Sequence, residues 1–392
     1  MRVIFNALSA YRQRTGVGSY VVNLSAALAR HAGRDALLLH PHGWHSRLAQ
    51  LAGGYLNLQQ NHAPLPAAFG TASHLLPRFR SGLSRLAREA TKRVFHHGFR
   101  KACGQQRCDL YHEPNFIPVP CDVPAIVTVH DLSVILHPEW HPTERVEFHK
   151  RHFPESLHKC RHVLTVSETM RQEIIAHLGV PAEKVTAIPN GVRSDTRLWS
   201  ADRIAVARKR LHLPDSFLLY VGAIEPRKNV ATILRAYCSL PEAVRKRHAL
   251  VLVGPWGWKF KEVREYYEST ARPRGVIHLG YVADDELPAL YNAARALLFP
   301  SHYEGFGLPP LEMLACGGAV ISSTAAALRE VLGDCAHFVD AMDESGWRQA
   351  MERILLDGPW RNQIRQGGIE RARNFTWDHT AECVWQIYRR MK

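Results

Sequence analysis

The chain has 392 residues, more than one compact core usually holds, so two domains are expected. Hydrophobic content of 46% and charged content of 22% exclude a disordered chain, and no stretch approaches the ~20 apolar residues that span a bilayer. The net charge of +14 calls for anionic partners, whether phosphates, nucleic acid or an anionic membrane surface, without choosing among them. The opening MRVIFNALSA has too short an apolar run for a signal peptide and reads as a first strand, which places the protein in the cytosol. Eight cysteines are scattered with no CxxC pair, so free thiols are expected.

In chain order, the first half shows apolar runs at Val3 to Asn6, Ala36 to His40, Ala125 to His130, His162 to Ser167 and Val185 to Ile188. Such continuous runs suit strands covered on both faces. Between the second and third lies the most basic stretch, Arg78 to Lys101, with Leu83, Leu86, Ala90 and Val94 near helical spacing. It reads as a basic amphipathic helix, either at a membrane surface or as an ordinary surface helix with its apolar stripe on the core. Pro189-Asn190-Gly191-Val192 is a turn signal, followed by a polar helical stretch (Ala201 to Leu211) and Leu213-Pro214-Asp215. There the first domain ends, giving expected domains of 1–195 and 196–373.

The second half restarts with predicted strands Phe217 to Gly222, Ala249 to Gly254, Val276 to Gly280, Ala296 to Ser301, Ala319 to Ser322 and Ala336 to Val339, mostly separated by helical patterns. The alternation predicts an α/β protein of two Rossmann-like domains, with parallel sheets facing a central cleft. A final helix, 374–392, carries Trp377, Trp385 and Tyr388 at helical spacing and is expected to pack across the domains rather than to form an aromatic binding box.

The most informative segment is FPSHYEGFGLPPLEMLACGG, Phe299 to Gly318. A strand leads to an acid, Glu304, then Gly305-Phe306-Gly307-Leu308 and two prolines, with a helix expected from Pro309 or Pro310. Glycines let the backbone approach a ligand, and exposed N–H groups at a helix start bind phosphate. Glu312, placed in the first helical turn, can then reach a hydroxyl pair such as a ribose diol. The plainer alternative is an ordinary strand-to-helix turn in which Glu312 stabilises the helix dipole. A second cluster, Gly222 to Asn229 (GAIEPRKN), again follows a strand and precedes a helix. Arg227 and Lys228 at a strand's carboxyl end suit a diphosphate, Arg as a bidentate grip and Lys as a point charge. The alternative is a solvated loop, although two cations at a helix start oppose its dipole.

These strings carry a resemblance. FPSHYEGFGLPPLEMLACGG is similar to the donor-site motif of glycosyltransferase family 4, with Glu304 and Glu312 matching its E-x7-E pair, and VGAIEPRKN resembles that family's G-x-x-x-x-R-K-N segment. VTVHDL, VSE and IPNGV follow the family's order upstream. The resemblance implies the GT-B fold, retention of anomeric configuration, no metal and no cofactor besides a nucleotide-sugar substrate. It assigns Arg227 and Lys228 to the donor diphosphate, with Gly222 beside them, and Glu312 to the ribose. Glu304 with the Phe306 and Gly307 backbone binds the sugar, and His130 lies on the sugar's other face near the reacting centre. Gly16-Val17-Gly18 looks like the family's G-x-G loop near the diphosphate and acceptor, though a simple glycine turn explains it equally. Asp131 orients a polar neighbour or caps a turn, and Ser167 binds ligand or caps a helix.

Departure of a nucleoside diphosphate builds negative charge that Arg227, Lys228 and the helix N-terminus would stabilise. No DxD pair stands at a strand end, and Asp284-Asp285 reads as a helix cap. Retention can come from a covalent intermediate, with Glu304 as a possible nucleophile, or from attack on the leaving-group face. The resemblance implies the front-face route, with the departing phosphate helping to take the acceptor's proton and closure excluding water. A nucleotide-sugar epimerase is the rival enzyme. A nucleic-acid-binding protein would explain the charge, yet no helix-turn-helix, zinc or RNA-binding motif occurs, so no nucleic-acid partner is expected. The overall style resembles bacterial mannosyltransferases of O-antigen and exopolysaccharide synthesis. That style implies GDP-mannose as donor, a glycan or polyprenyl-diphosphate-linked acceptor, and peripheral contact with an anionic membrane through Arg78 to Lys101.

Overall fold

Among the described residues, twelve strands alternate with helices: β1 Arg2–Asn6, β2 Ala36–His40, β3 Leu110–Glu113, β4 Ala125–Val129, β5 His162–Thr165, β6 Val185–Ala187, β7 Phe217–Val221, β8 Ala249–Val253, β9 Val276–Gly280, β10 Ala296–Phe299, β11 Ala319–Ser323 and β12 His337–Val339. The structure, a computed structural model, describes residues 1–11, 16–41 and 93–391. Two six-stranded sheets result, in the orders β2-β1-β3-β4-β5-β6 and β12-β11-β10-β7-β8-β9, with parallel pairing. Non-consecutive neighbours mean helical crossovers, as in βαβ units. Six helices position the features below: α1 Gly16–His31, α2 Glu168–Leu178, α3 Val230–Cys238, α4 Leu308–Ala315, α5 Ala326–Leu332 and α6 Trp377–Arg390.

The strands form where the sequence is apolar on both faces. FLLYV of β7 and ALLF of β10 are buried at every position, so either face would lose its cover if turned to water. All eleven apolar runs named from the sequence become strands. The twelfth, β3 (LYHE), escapes that reading because half of it is polar, yet His112 is fully buried and Glu113 nearly so.

The described residues divide into two compact units, Met1–Thr128 with Trp385–Lys392, and Val129–Val384. In the first, buried polar groups pair far along the chain. His112 Nε2 meets Thr128 Oγ1 at 2.7 Å and Nδ1 meets the Tyr388 hydroxyl at 2.5 Å, while Trp385 Nε1 donates to the Leu28 carbonyl at 2.9 Å. Trp385 and Tyr388 are therefore core residues, not a binding box. Residues 78–92 of the basic stretch lie outside the described residues. Residues 93–105 are helical, and their buried side is Phe95, Phe99, Ala102 and Cys103. Val94, expected on the apolar stripe, is exposed, because the two phenylalanines four residues apart take the core side instead.

In the second unit, the polar stretch after the turn becomes the helix Ala201–Arg210, capped by Ser200. The core between α3 and the sheet is built from Ile233, Leu234 and Tyr237 against Leu250 and Leu252. All eight cysteines are free thiols.

Candidate active site

The ends of β7 and β10, neighbours in the second sheet, carry the two charged motifs into one cluster within Val129–Val384. After β7 the chain turns at Gly222, and a Cβ added to nearby Gly254 would sit 2.1 Å from the Gly222 carbonyl oxygen. Only glycine lets these two backbones approach so closely. Pro226–Lys228 form a single turn that ends at Asn229 in the left-handed region, φ 53°. Asn229 Nδ2 donates to the Pro300 and Ala341 carbonyls at 3.1 and 2.7 Å, tying this loop to the end of β10.

Arg227 is the centre. Its Nη1 donates to Glu304 Oε2 at 2.8 Å and to the Tyr303 carbonyl at 2.9 Å, and its Nη2 donates to Glu225 Oε1 at 3.1 Å. Lys228 Nζ reaches the other Glu304 oxygen at 2.5 Å. Burial would weaken the charge on Arg227, but Glu304, Asp131 and Glu225 outweigh it and hold the guanidinium firmly protonated. Burial likewise raises the Glu304 carboxyl, and Arg227 and Lys228 reverse this and hold it below its ordinary value. Asp131 is half-buried; desolvation would raise it, and Arg227 and the Ser133 hydrogen bonds bring it down to about 2. Glu225, overlooked in the sequence reading, is raised mainly by burial despite Arg227. Two cations thus stand among the buried carboxyl groups of Glu304 and Glu225 and the half-buried one of Asp131, and both already hold Glu304.

Gly307, φ 99°, forms the left-handed start of α4, whose first residues are Leu308, Pro309 and Pro310. This corrects the expected helix start. Glu312 is the fifth helical residue, in the second turn rather than the first, because Leu308 rather than a proline opens the helix. The prolines also leave the helix start without two of its N–H groups, so Phe306, Gly307 and Leu308 provide the backbone donors there. Glu312 accepts from the Tyr291 hydroxyl at 2.8 Å.

The remaining expected residues fall in different places. A Cβ at Gly305 would lie 1.7 Å from the His130 carbonyl oxygen, so the two segments touch backbone to backbone. Asp131 does cap a turn, accepting from Ser133 N at 2.9 Å and Ser133 Oγ at 2.6 Å. Ser167 caps α2 through Met170 N at 3.2 Å. The Asp284-Asp285 pair does not take the cap position: Glu286 is the N-cap of the helix Leu287–Ala293, with no side-chain cap bond, and Arg193 bonds the Asp284 carbonyl at 2.5 Å. Gly16 opens α1 in the other unit, where a Cβ would meet open space, and Gly18 is buried in the same helix. Among the described residues, no group of three or more His, Cys, Asp or Glu could hold a metal ion.

Two family models divide the chain: "Glycosyltransferase Family 4" matches residues 14–196 and "Glycosyl transferases group 1" matches residues 204–371. The O-antigen chain mannosyltransferase B of Escherichia coli is 32% identical over 391 residues, 99% of this chain and 100% of that protein. The chain belongs to glycosyltransferase family 4. The serotype-specific mannosyltransferase WbdA of Escherichia coli is 31% identical over 287 residues, which is 70% of this transferase and 35% of WbdA. Among solved structures, sucrose-phosphate synthase from Thermosynechococcus elongatus superposes with a TM-score of 0.70 at 21% identity, covering 100% of this chain and 99% of the other. WaaG, a glycosyltransferase involved in lipopolysaccharide biosynthesis, gives 0.70 at 16%, covering 98% and 99%. The fold is GT-B, with two Rossmann-like halves each built on a parallel sheet.

Glu312 gives the transferase a pH-dependent term. Burial lifts its carboxyl from 4.5 to about 7, with the Tyr291 hydrogen bond partly opposing. A raised folded pKa contributes stability that is fully present below the unfolded value and is lost as pH rises through about 7. That difference corresponds to about 3 kcal/mol at most. Glu312→Gln should therefore flatten the stability profile between pH 4.5 and 8 in urea unfolding, and an unchanged slope would place the profile's origin elsewhere.

Proposed function

We propose that this transferase moves mannose from GDP-mannose, with retention, onto a glycan or polyprenyl-diphosphate-linked glycan of a cell-surface polysaccharide. The observation that carries a nucleotide-sugar site is the Arg227–Lys228–Glu304 cluster beside the start of α4. Arg227 Nε is buried with no hydrogen-bond partner, and Lys228 Nζ spends one of its three N–H groups on Glu304, so both cations keep donors for an anion. In this reading they hold the diphosphate and stabilise its charge as it leaves. Glu312, once ionised, accepts from the ribose hydroxyls. Glu304 and the Phe306 and Gly307 N–H groups hold the sugar, and His130 lies on its opposite face near the reacting carbon. The departing phosphate takes the acceptor's proton on the same face, so neither metal nor cofactor is required.

Mannose is favoured by the end-to-end likeness to O-antigen chain mannosyltransferase B. HepE of Anabaena, a structural neighbour at 17% identity with a TM-score of 0.68 and 99% coverage of both chains, was solved with UDP-glucose, so UDP sugars belong in the test. No helix among the described residues is long and apolar enough to cross a membrane. The enzyme is read as cytoplasmic, meeting its lipid-linked acceptor at the membrane surface through the basic 78–101 stretch. The test is calorimetric titration of GDP-mannose, UDP-glucose and UDP-galactose with EDTA present, using wild type and Glu312→Ala. Selective binding of GDP-mannose, weakened in the variant and strengthened as pH rises through about 7, is the expected result. Preference for a UDP sugar would reassign the donor, and binding of none would reject the site.

A further inference from the structure

We propose that Ser167 is a positioning residue for the sugar: its hydroxyl locks the Gly305–Phe306 peptide so that the Phe306 N–H faces the substrate. The inference rests on the donor-site reading of this loop. Between β10 and α4 the chain has no ladder of its own to fix its peptide planes. Side chains do so at alternate carbonyls instead. Ser323 Oγ donates to Ser301 O at 2.5 Å, Arg227 to Tyr303 O at 2.9 Å and Ser167 Oγ to Gly305 O at 2.7 Å.

In a planar trans peptide the next N–H points opposite to the carbonyl. Fixing Gly305 C=O towards Ser167 therefore aims Phe306 N–H away from it. Phe306 is 5% exposed and Gly307 is buried, yet neither N–H has an acceptor among the described residues. Buried backbone donors are rarely left unpaired, so a ligand oxygen fits this position, and a sugar hydroxyl supplies one. Nothing in the residue itself holds this geometry. Gly305 has no Cβ to restrict rotation, while the Phe306 ring is anchored edge-on to Phe375 at 5.9 Å, so the peptide could turn over without moving its side chain.

Ser167 also caps α2, which a variant would disturb. The same helix start has a second cap that does not touch Gly305. Glu330 of α5 accepts from Glu168 N at 2.7 Å, Thr169 N at 2.8 Å and Thr169 Oγ1 at 2.6 Å. Glu330→Ala is thus the control for loss of capping. The experiment titrates GDP-mannose against GDP, and UDP-glucose against UDP, into the full chain for wild type, Ser167→Ala and Glu330→Ala, with unfolding midpoints measured alongside.

Both variants should lower the midpoint. Only Ser167→Ala should weaken the sugar nucleotide, by about 10-fold, the loss of one hydrogen bond, while the free diphosphate stays within about twofold. An unchanged ratio of sugar nucleotide to diphosphate in Ser167→Ala, or an equal loss in Glu330→Ala, would overturn the proposal alone. If wild type binds neither pair, the donor-site reading falls and takes the proposal with it.

Discussion

Arg227→Ala is expected to lower kcat/KM by about 10³-fold or more and to cost about 3–5 kcal/mol of stability at pH 7. Both effects follow from one placement. Arg227 contacts Glu304 and Glu225 directly and holds the Asp131 carboxyl down to about 2. Truncation leaves two buried carboxyl groups and the half-buried Asp131 with Lys228 as the neighbouring cation on Glu304. The sign with pH is fixed. Asp131 has a folded pKa below its ordinary 3.8, so its contribution of about 2 kcal/mol is present above that value and is lost as pH falls towards 2. Urea unfolding of the two proteins should therefore differ most near neutrality and converge below about pH 4. Arg227→Lys keeps the charge but cannot span Glu304, Glu225 and the Tyr303 carbonyl together, so it should recover part of the stability and little of the rate. A constant stability gap from pH 7 to pH 3 would show that lost packing, not unpaired charge, is the origin.

The strands were legible because each parallel strand covered on both faces writes a continuous apolar run. β3 was not, since its polar half is stabilised in large part by residues remote in sequence. His112 is paired with Thr128 and Tyr388, and Glu113 with Asn6, the Tyr111 hydroxyl and the Asn115 N–H. The same distinction runs through the site. Arg227, Lys228 and Glu304 stood out as charges beside glycines at strand ends. Glu225 stands within the same string without a role legible there, because nothing local reveals that the guanidinium two residues on will fold back to it. Ser167 could be read as a cap from its place before a helix, whereas its bond to Gly305 joins residues 138 apart in sequence. The displaced Glu312 shows a different limit. Two consecutive prolines mark a helix start to within a residue or two, and Gly307 in the left-handed region decides it.

Among the described glycines, Gly305→Ala should be the most damaging alanine substitution, with kcat/KM reduced by about 10³-fold and a stability loss of about 3 kcal/mol. Its added Cβ would lie 1.7 Å from the His130 carbonyl oxygen and 2.9 Å from the carbonyl carbon. Both atoms are backbone, so no rotamer change relieves the clash. The Glu304–Phe306 segment must move off His130, which stretches the Ser167 bond to Gly305 O and the Arg227 bond to Tyr303 O together. Gly307→Ala is the informative contrast. Its Cβ would meet Leu328 Cδ2 at 2.4 Å, the end of a flexible side chain, while its φ of 99° imposes strain on any L-residue. That strain costs about 1–2 kcal/mol. Gly307→Ala should therefore fold with a modest loss and retain more activity than Gly305→Ala. The reverse order in thermal unfolding and steady-state rates would mean that backbone conformation at the start of α4, not the contact with His130, governs this loop.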